Sequence, residues 1–109
     1  MKLTLHKPLK SGTYPATVVE VKAVETRFGA QLEWRFRLED EDRHTIRAFS
    51  STAYTLKSKL ARWVRACLGE LPEELDTNRL AGTACRVELD AEGEYPRVRE
   101  VLPPEGLFE

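Results

Sequence analysis

The spacing of apolar residues changes period twice along this chain, and that change limits the folds open to it more than any other feature. Residues 13–25 alternate with period two, carrying Tyr14, Ala16 and Val18 on one face before shifting phase to Val19 and Val21. A phase shift turns the buried side over, and a bulge is the usual device that bends a strand through such a shift. Arg27-Phe28-Gly29 supplies a turn. Residues 30–38 then set Leu32, Trp34, Phe36 and Leu38 on one face against Gln31, Glu33, Arg35 and Arg37 on the other. After a polar loop at 39–43, Ile46, Ala48 and Ser50 oppose Thr45, Arg47 and Phe49. This predicts a three-stranded meander.

The period then becomes helical. Leu56, Leu60, Trp63, Val64, Cys67 and Leu68 fall within an arc of roughly 140° at about 100° per residue, with Ser58, Lys59, Arg62 and Arg65 on the opposite arc. A helix of about 13 residues is expected, capped by Thr52 or Thr55 and stopped at Gly69 ahead of Pro72. Residues 70–83 form an acidic linker, with one turn of helix expected around 76–80 that ends at Gly82. Alternation returns at 84–90 through Cys85, Val87 and Leu89, turns at Gly93, and resumes at 95–102 with Val98 and Leu102 inward, until Pro103-Pro104 ends it.

The order is strand, strand, strand, helix, strand, strand. An SH3-like barrel has no such helix, and a split βαβ sandwich needs a helix after the first strand, for which residues 26–30 are too few. The expected fold is all-β with one helix: a five-stranded OB-fold barrel, helix between strands three and four. With 109 residues the chain holds one domain, 1–109, flanked by an extension at 1–11 and a short acidic tail at 103–109.

Charge divides along the chain. Residues 1–65 hold 13 Lys and Arg against 7 Asp and Glu, whereas residues 66–109 hold 4 against 11. Such halves point to a basic surface for a polyanion beside an acidic segment, unless folding brings the two together and cancels them. Arg outnumbers Lys 11 to 6, and Asn78 and Gln31 are the only side-chain amides, a bias that fits a thermophilic source or GC-rich coding. No apolar run approaches a membrane span and the start of the chain lacks the stretch of a signal peptide, so a cytoplasmic protein is expected. Cys67 and Cys85 have no short ligand spacing, which favours buried thiols over a disulfide or a metal site. Phosphate loops, nucleophile elbows and histidine pairs at metal spacing are missing from the sequence, so neither catalysis nor a cofactor is expected.

The stretches Ser-Gly-Thr-Tyr-Pro-Ala-Thr-Val-Val-Glu-Val at 11–21 and Phe-Gly-Ala-Gln-Leu-Glu-Trp-Arg-Phe at 28–36 carry a family resemblance. So do the helix at 56–69, Leu-Ala-Gly-Thr-Ala-Cys-Arg-Val-Glu-Leu from residue 80, and Tyr-Pro-Arg-Val-Arg-Glu-Val from residue 95. Together they resemble the small OB-fold single-stranded-DNA-binding-like proteins of bacteriophages and prophages, over most of the chain from Gly12 to Pro103. The resemblance implies a replication or recombination accessory that binds single strands without doing chemistry. The acidic second half departs from a uniformly basic binder.

If the apolar faces fill a barrel, Arg35, Arg37, Arg47 and Phe49 share the outer face of strands two and three. Single-strand binding needs cations along the phosphates and rings on which bases stack. The competing expectation is that Phe49 packs under the helix while the arginines pair with carboxylates. At the first turn, Arg27 and Phe28 either clamp a base or fold back over the barrel mouth. Lys57 and Lys59, with Arg62 and Arg65, either extend the electrostatic path or solubilise the helix. The acidic loop at 91–94 should repel phosphate. Beyond the last strand, Leu107 and Phe108 lie between acids, resembling the acidic, aromatic-tipped tails by which single-strand binders recruit replication proteins; alternatively Phe108 closes one end of the barrel. A non-nucleic-acid alternative is an OB-fold adaptor that docks a partner protein.

Overall fold

The computed structural model describes residues 1–3, 9–39, 43–93 and 96–104. The elements run β1 (Gly12–Thr26), β2 (Gly29–Leu38), β3 (Thr45–Ser51), α1 (Lys59–Leu68), a 3-10 turn (Thr77–Arg79), β4 (Ala84–Asp90) and β5 (Arg97–Leu102). All five strands join one antiparallel sheet in the order β3-β2-β1-β4-β5, so the long β1 holds a neighbour on each side. The strand and helix order matches expectation. The sheet is open, because no ladder between described residues joins β3 to β5, although the two strands approach each other.

Strand β1 bends where its phase shifts, but the residue responsible differs from expectation. Val18 pairs with Phe36 and Glu20 with Arg35, leaving Val19 without a cross-strand partner and 42% exposed. Val19 is therefore the extra residue of the bulge and not a core residue, and burial resumes at Val21. Val18 itself bonds to the turn before β4, accepting from Gly82 N–H at 2.7 Å and donating to the Thr83 carbonyl at 2.9 Å. In the β1–β2 hairpin neither Arg27 nor Phe28 takes positive φ; the left-handed position falls on Gly29, at φ 99°.

The helix begins later than the periodicity suggests. Ser58, expected on its outer arc, is the N-cap: its hydroxyl accepts from Ala61 N–H at 3.0 Å and donates to the Thr55 carbonyl at 2.9 Å. Leu56 and Lys57 consequently precede the helix, and Leu56 is 78% exposed. Neither Thr52 nor Thr55 caps it. At the other end Gly69 takes φ 75° and its N–H closes on the Arg65 carbonyl at 2.8 Å, as the sequence predicts.

One face of the helix packs against the buried face of the sheet. Trp34 and Phe36 stack with centroids 5.8 Å apart, and Trp63 of α1 meets them edge-on at 5.3 and 6.0 Å. Around this trio lie Leu32, Leu38, Ile46, Val64, Leu80, Val87, Leu89 and Val101, all buried. In β5 the register shifts: Leu89 pairs with Val98 and Glu88 with Glu100, so Arg99 is a second extra residue. Val101 becomes the buried position, while Val98 and Leu102, expected inward, are only half-buried. Among the described residues no helix is long and apolar enough to cross a membrane.

Candidate nucleic-acid interface

The outer face of the sheet is a set of cross-strand rows fixed by register. Glu20, Arg35 and Arg47 form one row across β1, β2 and β3; Lys22, Glu33 and Phe49 form the next; Thr17, Arg37 and Thr45 form a third. Arg35, Arg37, Arg47 and Phe49 thus share one face, because strict alternation in β2 and β3 places Trp34, Phe36, Ile46 and Ala48 on the other.

Carboxylates occupy much of that face. Arg35 pairs with Glu20 at 3.2 Å and Glu33 at 3.5 Å, Lys22 reaches Glu20 at 3.7 Å, and Arg37 meets Glu39 at 3.8 Å. Glu33 is buried in its row. Thr17 donates to the same Glu39 oxygen at 2.9 Å, and Arg37 Nε is buried without an acceptor. Three cations therefore meet three carboxylates, and each exposed pair is worth about 0–1 kcal/mol, weak enough for a phosphate to displace. Arg47 differs. It is exposed, forms no ion pair with a described residue, and sits directly opposite Arg35, a like-charge neighbour that favours an added anion.

Phe49, 42% exposed, stands two residues along the same face of β3. With Thr45, Ile46, Arg47 and Pro96 it lines an open depression of about 260 Å³ where β3 nears the segment leading into β5. Packing of Phe49 under the helix is not observed. Lys59 ties the helix to this strand instead, donating to the Phe49 carbonyl at 3.1 Å with its ammonium 4.5 Å from the Trp63 centroid.

Arg27 and Phe28 sit at the β1–β2 tip, where Phe28 is 82% exposed and has not folded back over the sheet. Thr26 Oγ1 accepts from Phe28 N–H at 3.1 Å and donates to the Gly29 carbonyl at 3.0 Å, fixing the tip. Glu33 lies five residue steps beyond Phe28, roughly 17 Å along the strand, so the tip is remote from Phe49. Lys57 is exposed ahead of the helix cap. Arg62 pairs with Glu100 at 3.5 Å. Leu107 and Phe108 lie outside the described residues.

No protein-family model matches the chain, and no curated protein matches it. The residues themselves carry the argument. Sequence reasoning passed over Pro96, which walls the depression, and over Arg97 and Arg99, both exposed on β5 with no ion pair to a described residue. Alternation around Val98 marks both arginines as outward, but only the fold shows that their strand approaches the strand of Arg47. Among the described residues no cluster suits a metal ion.

The two thiols form a pair of another kind. Cys67 on α1 is half-buried and Cys85 on β4 is buried, and both are free. Their mutual hydrogen bond holds the Cys67 thiol below its ordinary range, against burial and with help from Thr83, while the same bond and burial push Cys85 far up.

Proposed function

We propose that the protein binds single-stranded nucleic acid, DNA in the first instance, without catalysis, across the outer face of β2 and β3 and into the depression beside β5. The sheet order supports an OB-type, partly open five-stranded barrel: β1 pairs with both β2 and β4, and the opening lies between β3 and β5. The observation that carries the reading is that a half-exposed Phe49 shares one depression with Arg47, which has no ion pair with a described residue. A ring in that setting offers a base its face while the guanidinium holds the adjacent phosphate, features every nucleotide supplies, so little sequence preference is expected. A role in replication or recombination follows the family resemblance.

The ion-paired state of Arg35 and Arg37 favours a second reading, an adaptor whose outer face docks a partner protein. Anisotropy of a labelled oligo-dT decides. Binding at low salt, weakened roughly tenfold or more by Phe49→Ala as for the loss of one stacked base, supports the first reading. No anisotropy change with protein in the tens of micromolar, roughly the non-specific range, leaves the adaptor.

A further inference from the structure

A second concavity lies away from this interface, between α1 and β5. Its volume is about 470 Å³, its lining is predominantly apolar, and its walls are Arg65, Ala66 and Gly69 on one side and Val101, Leu102 and Pro103 on the other. The Arg62–Glu100 ion pair also lines it, and Glu100 accepts from Trp63 Nε1 at 2.9 Å. Arg65, also at the rim, is exposed and has no ion pair with a described residue. The groove therefore offers an apolar floor and, among the described residues, one rim cation without an ion pair.

We propose that this groove is the docking site of the chain's own residues 105–109, Glu-Gly-Leu-Phe-Glu, with Leu107 and Phe108 on the apolar floor and the flanking glutamates at Arg65. Three observations converge on that occupant. The segment starts at the groove: Pro103 is part of its wall, and Arg86 Nε fixes Pro103 by donating to its carbonyl at 2.9 Å. Length suffices, since five residues reach roughly 17 Å and the helical wall from Arg62 to Gly69 rises only about 10 Å. The chemistry matches, because two apolar side chains between acids suit an apolar floor with a basic rim. A volume in the ordinary range of ligand pockets accommodates the two side chains.

The test is an NMR measurement on the full chain. Nuclear Overhauser contacts are expected between the Phe108 ring and the methyls of Ala66 and Val101, and a mixture of labelled and unlabelled protein should show them within one chain. Arg65→Glu, at an exposed position, should weaken these contacts, and adding Glu105→Arg and Glu109→Arg should restore them. Phe108 resonances at random-coil positions without contacts to α1 would overturn the proposal. So would contacts found only between copies, which would make the groove a self-association site.

Discussion

Trp34 is wholly buried at the centre of the core, and its indole N–H donates to Ser50 Oγ at 3.0 Å. A buried donor left without a partner costs about 1–3 kcal/mol, so Ser50→Ala should lower the unfolding free energy by that much in urea titration, although it removes a single oxygen. The thiol pair makes a different prediction. Because Cys67 loses its proton before Cys85, iodoacetamide at mildly alkaline pH should label Cys67 first; labelling that begins at Cys85 would mean the assignment is reversed. The outward placement of Arg35, Arg47 and Phe49 was legible in the sequence, since alternation alone decides which face a strand residue occupies. The partners were not. Glu20 reaches Arg35 only because Val19 is skipped in the ladder, and a pattern of apolar residues marks that a bulge exists without saying which residue is extra.

Elements were legible in kind and order, less so at their ends. Leu56 stands at helical spacing from Leu60 and so imitates a first turn, yet the backbone turns at 55–58 and the helix starts only after Ser58. The usual sign of such a start, an acid or amide three residues past the cap, is missing because that position is Ala61. Ser58→Ala should therefore cost about 1 kcal/mol, read as a fall in melting temperature, while Leu56→Ala at an exposed site should change it little. A larger effect of Leu56 would place the helix start back where the periodicity put it. Strand β5 repeats the lesson of β1: Val98 and Leu102 share a phase on paper, but the extra residue Arg99 breaks it and hands the buried position to Val101.

At the scale of the whole molecule, the segregated charge of the sequence does not become two separate surfaces. Glu20, Glu33 and Glu39 all come from the basic half and neutralise its own arginines, while the acidic half contributes Arg97 and Arg99 close to Arg47's strand. The salt dependence of binding should reflect this. If only Arg47, Arg97 and Arg99 displace counterions from a single strand, log affinity should fall against log salt with a slope near −2, and Arg47→Ala should reduce it by about 0.7. A slope near −3.5 would mean Arg35 and Arg37 leave their carboxylates on binding. The open sheet has one more consequence. Strands β3 and β5 end the sheet without a shared ladder, so each presents main-chain donors and acceptors that can template a foreign strand. Charge on such edges is what keeps them from propagating, which casts Arg47 as a gatekeeper in addition to its proposed contact with phosphate. Arg47→Val should then leave the monomer folded but raise light scattering as protein concentration increases, the first sign of edge-to-edge aggregation.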